Sequence, residues 1–163
     1  MLTVRRPART RVSRRIDADP TSTALLLAGP TAVDLWPGAS RVGERDGRLL
    51  VEAAPAVPRA TEAGPVRLAV RALPPRRTPT SYVTLFEWHP APDGPARAAA
   101  GRLTLAYAPT GDGTPVTHAV LELDPADPDA GYGEVLTPPQ LERLAEGFLD
   151  NLAVAAETRN RAA

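Results

Sequence analysis

The chain of 163 residues carries 19 basic and 19 acidic side chains, two His and no Cys, for a formal net charge of zero. Every basic residue is Arg, which excludes Schiff-base, catalytic-lysine and phosphate-loop-lysine chemistry; the lack of Cys excludes thiol nucleophiles, disulfides and Cys-based metal sites. With 43% apolar residues but few aromatics, a single domain of this length builds its core mainly from Leu, Val and Ala.

Arg5, Arg6, Arg9, Arg11, Arg14 and Arg15 all precede the first acid, Asp17. Such a block suits nucleic acid or an acidic partner, but the remaining chain is mixed in sign and offers no recognition helix with interleaved aromatics. The expectation is therefore no nucleic-acid binding, with residues 1–10 a mobile or edge segment ahead of one domain over 11–163. The nearby apolar run, Ala24 to Ala28, is far short of the roughly 18 residues of a membrane span, so neither a signal peptide nor a membrane anchor is expected. A soluble cytoplasmic protein follows as the expectation, and the bias to Ala, Arg, Gly and Pro suggests a GC-rich, actinobacterial type of coding sequence.

Arg11 to Ile16 alternates polar and apolar residues and predicts a half-buried strand. Asp19 then caps a short helix with Pro20 at its first position, over Thr21 to Ala28, and a second short helix is predicted from Thr31 to Trp36, stopped by Pro37 and Gly38. From residue 41 the period becomes two. Arg41 to Arg45 and Arg48 to Ala53 flank Asp46-Gly47, a tight-hairpin signal. Val66 to Ala72, Ser81 to His89, Arg97 to Tyr107 and Pro115 to Leu123 complete about six antiparallel strands, with Pro74 to Thr80 read as a break. Thr137-Pro138-x-Gln140 then opens a helix of about 20 residues whose Leu141, Leu144, Ala145, Phe148, Leu152, Ala155 and Ala156 form one apolar stripe. Gly147 interrupts it, either to let another surface approach or as a neutral surface position.

This order of elements resembles the helix-grip fold of the START and polyketide cyclase/dehydrase superfamily. The residues that carry the resemblance are Val12 to Ile16 with Asp19-Pro20, Leu35-Trp36-Pro37-Gly38 leading into the strand at Arg41, and Thr137 to Arg159 with its Phe148-Leu149-x-Asn151-Leu152 centre. The resemblance spans residues 11 to 159. It implies an α+β fold in which a curved antiparallel sheet of about six to seven strands wraps the long C-terminal helix around an elongated apolar cavity. That cavity would be lined by Phe86, Trp88 and Tyr107 from the strands and by Trp36, Leu144, Phe148 and Leu152 from the helices. The family has no universal catalytic residues, so none is carried over.

The strand Ser81 to His89 puts Tyr82, Thr84, Phe86 and Trp88 on one face and Val83, Leu85, Glu87 and His89 on the other; either face can be the concave one. Tyr82 offers a phenol to an apolar ligand. His118, with Glu122 farther along the same strand face, offers a general base for enolisation or dehydration, and is equally explained as a sheet residue on the outer face. Arg71 and Arg102 sit mid-strand, where each would polarise a carbonyl or hold an enolate if it faced inward, and would be solvated otherwise. His89 and His118 lack metal-ligand spacing, and Asp124, Asp127 and Asp129 are interrupted by Pro, so no metal or other cofactor is expected.

The functional expectation is binding of a hydrophobic small molecule, with polyketide-type cyclisation or dehydration in secondary metabolism catalysed by His118, Tyr82, Arg71 and Arg102. The alternative is a noncatalytic carrier, sensor or partner-binding domain, which leaves open whether the protein is an enzyme. Exposed edge strands also allow a homodimer.

Overall fold

A computed structural model describes residues 9–28, 30–37, 39–45, 48–53, 66–72, 74–89, 99–108, 110–124 and 138–162; most of 39–53 and all of 66–72 are described by backbone register alone. Strand β1 (Thr10–Ile16) leads to helix α1 (Pro20–Leu25) and a 3-10 helix, η1 (Pro30–Leu35). Strands β2 (Ala39–Arg45), β3 (Arg48–Ala53), β4 (Val66–Ala72), β5 (Arg76–Arg77), β6 (Ser81–His89), β7 (Ala99–Ala108) and β8 (Val116–Asp124) follow, and α2 (Pro138–Ala162) closes the series. All strand pairs are antiparallel, in the order β1-β8-β7-β6-β4-β3-β2, with β5 also on β6. The expected α+β architecture, an antiparallel sheet with one long C-terminal helix and two short helical segments after the first strand, is the observed one.

Among the described residues the sheet has seven strands in its main order, and the segment read as a break adds the two-residue β5. Strand β4 pairs with residues 86–89 of β6, and Arg76 and Arg77 resume the pairing opposite Val83 and Tyr82. A turn closed by side chain and backbone returns the chain so soon: the Thr78 amide donates to the Ser81 carbonyl at 2.7 Å, and the Ser81 amide to Thr78 Oγ1 at 3.0 Å. The second short helix is a 3-10 turn bounded by Pro30 and Pro37 rather than an α-helix. Arg45 pairs with Arg48 as the predicted hairpin requires, while Asp46 and Gly47 themselves, like Thr137, lie outside the described residues. A register shift between Arg41 and Gly43 marks a bulge that the alternation did not announce.

Helix α1 begins as its sequence dictates. Asp19 accepts from the Ser22 amide at 2.9 Å and from its hydroxyl at 2.6 Å, with Pro20 in the first turn. Partial burial pushes the Asp19 carboxyl up, but the Ser22 hydroxyl and amide and the Thr21 amide outweigh it and hold the group below its ordinary value. A carboxyl lowered in the fold adds stability above its unfolded value, about pH 4, and loses it as pH falls through the folded value. Asp19→Ala should therefore cost about 1 kcal/mol at neutral pH. The difference from wild type should shrink in urea melts taken at successively lower pH across the acid limb.

The core lies between α2 and one face of β1, β8 and β7. Val12, Leu121 and Leu103 stand opposite one another across three strands, and all are buried. From α2, Ala145, Phe148, Leu149, Leu152, Ala153 and Ala156 meet them, the three- and four-residue spacing of a helical stripe.

Candidate functional site

Helix α2 is tied to the edge strand β1 on one side and to the end of η1 on the other. On the β1 side the Arg14 guanidinium pairs with Asp150, the Asp17 amide donates to Glu157 Oε1 at 3.2 Å, and Asn160 Nδ2 donates to the Asp17 carbonyl at 3.4 Å. On the other side α2 holds the end of η1. Asn151 Nδ2 donates to the Leu35 carbonyl at 2.9 Å, and the Trp36 ring lies 4.2 Å from that of Phe148, tilted by 33°. Gly147 lies against Pro37 so closely that a Cβ there would sit 2.5 Å from the proline Cγ. Among the described residues the backbone of α2 packs on β1, β8, α1 and η1.

The strand register decides which face of β6 looks toward α2. Tyr82 pairs with Leu105, Thr84 with Leu103 and Phe86 with Gly101; these in turn pair with Ala119, Leu121 and Leu123. The leucines of these rows are at most 1% exposed, so the inner face of β6 is the one bearing Tyr82 and Thr84. Tyr82 is half-buried against the core, and its hydroxyl shares a hydrogen bond with Thr21 Oγ1 at 3.0 Å, which links β6 to α1. Thr84, near the strand's middle, is buried. Strand alternation gives Phe86 and Trp88 the register of this face; their side chains lie outside the described residues.

The opposite face carries the other catalytic candidates. His118 is exposed, opposite Arg15 and Ala106, and Arg102 is exposed, opposite Leu85 and Glu122. Arg71 has the same outer register, opposite Glu87, with its side chain outside the described residues. Glu122 does not join His118. It accepts instead from Arg9 Nη1 at 3.0 Å, while Arg9 Nε donates to Asp124 at 2.7 Å. Hydrogen bonds that Arg9 donates to Asp124 and then to Glu122 raise its guanidinium further above its already high value. Of the two readings of His118, its place is that of the outer-face sheet residue, and Glu122 is engaged by Arg9. Among the described residues no cluster of His, Asp and Glu suits a metal ion, and no helix is long and apolar enough to cross a membrane.

No family model and no curated protein matches the sequence. Solved structures match its shape. A conserved protein from Geobacillus kaustophilus superposes with a TM-score of 0.58 at 11% identity, covering 93% of this chain and 96% of the other. The Zhui aromatase/cyclase from Streptomyces sp. R1128 gives 0.54 at 17% identity, covering 95% and 96%. The di-domain aromatase/cyclase StfQ of the steffimycin biosynthetic pathway gives 0.52 at 15% identity, where 93% of this chain spans 46% of that protein. The fold, an antiparallel sheet with a long C-terminal helix, is the helix grip these structures share. At these identities the likeness is one of architecture.

Within this helix grip the candidate lining residues divide. Phe148 and Leu152 are buried, Leu144 and Trp36 are half-buried on the core's edge, and Tyr107 is 55% exposed at the end of β7. Of the four catalytic candidates, only Tyr82 has a side chain described on the inner face of the helix grip. Sequence reasoning did not single out Thr84 beyond its place on the aromatic face. The available signal was a lone hydroxyl among Tyr, Phe and Trp at alternate positions.

Proposed function

We propose that the protein binds a hydrophobic small molecule of polyketide type in the space between α2 and the inner face of the sheet. The observation that carries this reading is the register of β6, which sets Tyr82 and Thr84 on the sheet face that α2 packs against at β1 and β8. Such an arrangement suits a guest enclosed by apolar walls with a few convergent polar groups. The architectural likeness to two aromatase/cyclases over more than 90% of the chain supports the ligand class. Cyclisation or dehydration of a bound chain would then be chiefly positional, with the Tyr82 phenol, braced by Thr21, handling protons. The outward stance of His118 and Arg102 favours the second reading, a carrier that holds its ligand without converting it.

Purified protein titrated with a linear poly-β-ketone should show saturable quenching of tryptophan emission, and absence of binding overturns the proposal. Mass spectrometry of the same mixtures separates the two readings. In the enzyme reading product forms, Tyr82→Phe lowers turnover by about 100-fold or more, and His118→Ala leaves it unchanged. Binding without product establishes the carrier.

A further inference from the structure

Thr84 is 4% exposed, yet among the described residues its hydroxyl makes no hydrogen bond. Side-chain hydroxyls in native interiors nearly always have a hydrogen-bond partner. Its neighbours behave in the ordinary way: Thr23 Oγ1 donates to the Asp19 carbonyl at 2.9 Å and Thr117 Oγ1 to the Ala18 carbonyl at 2.7 Å. Nor is Thr84 Oγ1 sealed off. The one described side-chain polar atom that is both fully shielded and unpartnered is Arg14 Nε, so the small exposed part of Thr84 includes its oxygen. That oxygen stands on the inner face of β6, in one row with Leu103 and Leu121, and one pleat away from Tyr82.

We propose that Thr84 is a specificity residue for the ligand: its hydroxyl donates to a neutral oxygen, such as a ketone, carried by an otherwise hydrophobic guest. This rests on the ligand-binding reading above. A neutral oxygen is the fitting partner, because a carboxylate buried here would need a cation, and the described inner-face Arg, Arg14, is already engaged by Asp150. Tyr82, two positions along the same face, differs in that its hydroxyl already has a partner within the fold, Thr21.

The test compares 9-fluorenone with fluorene, probes of one skeleton that differ by the ketone oxygen, against wild type, Thr84→Val and Thr84→Ser. Val keeps the shape of Thr without the hydroxyl, and Ser keeps the hydroxyl. Wild type and Thr84→Ser should prefer fluorenone, and Thr84→Val should lose about three- to tenfold in fluorenone affinity while binding fluorene as before. Its Tm should be unchanged or higher, since no native hydrogen bond is lost. Equal fluorenone and fluorene ratios in all three proteins overturn the assignment while leaving ligand binding intact. A Tm lowered in Thr84→Val overturns it as well, by showing that the hydroxyl is satisfied within the fold. Failure of wild type to bind either probe removes the ligand-binding reading and this assignment together.

Discussion

Phe148→Ala should destabilise the protein by about 3–5 kcal/mol, lowering Tm by roughly 6–20 °C. Phe148 is the largest fully buried side chain among the described residues, and it meets the core on one side and the Trp36 ring on the other. Truncation removes the transfer energy of the ring, leaves a cavity that α2 cannot close while β1 and η1 hold it, and frees Trp36 from its stacked neighbour. Chemical denaturation measures the first two effects, and a red shift of tryptophan emission measures the third. A loss under about 1 kcal/mol would mean that α2 settles into the gap, and the idea of a helix braced from both sides would fail.

Gly147→Ala should also destabilise, against what helix propensity alone predicts. Replacing a mid-helix glycine by alanine is worth about 1 kcal/mol in favour of the helix. Here the new methyl would sit 2.5 Å from Pro37 Cγ, and a pyrrolidine ring cannot rotate away as a flexible side chain does. Overpacking of this kind costs about 1–3 kcal/mol, so a net loss of about 1–2 kcal/mol is expected. The displaced Pro37 should carry Trp36 with it and strain the bond from Asn151 to Leu35, which a shift in tryptophan emission would report. A raised Tm would show that the contact between α2 and the end of η1 is loose.

The extents of β6 and α2 were legible because each satisfies a single local rule: Tyr, Val, Thr, Phe and Trp crowd the strand, and the Leu and Ala stripe of residues 141–156 keeps helical spacing. The faces were not legible in the same way. Which side of β6 is concave depends on its alignment with Leu103 and Leu105, and theirs with Leu121 and Ala119, a property of three strands together. His118 and Glu122, though on one strand face, do not meet for a geometric reason: four residues along a strand span about 13 Å, beyond any hydrogen bond. The partner Glu122 does have, Arg9, lies 113 positions away in sequence. Gly147 is similar, since its purpose resides in Pro37. Strand β5 owes its existence to the Thr78 and Ser81 turn rather than to any strand-like composition.

The pairing of the first strand with the last bears on how the chain folds as it is made. Among the described residues strand β1 has no sheet neighbour other than β8, and Arg9 and Asp124, which meet across that junction, stand 115 positions apart. At about 5–20 residues per second, a ribosome needs roughly 6–23 s to supply the second half of that pair. Throughout this interval Val12 and Ile16 lack their native cover, and an unpaired strand is open to pairing with other nascent chains. Arg11, Arg14 and Arg15, interleaved with those apolar positions, act as gatekeepers that repel a second copy of the same strand. The leading arginines thus protect the nascent chain until its last strand arrives.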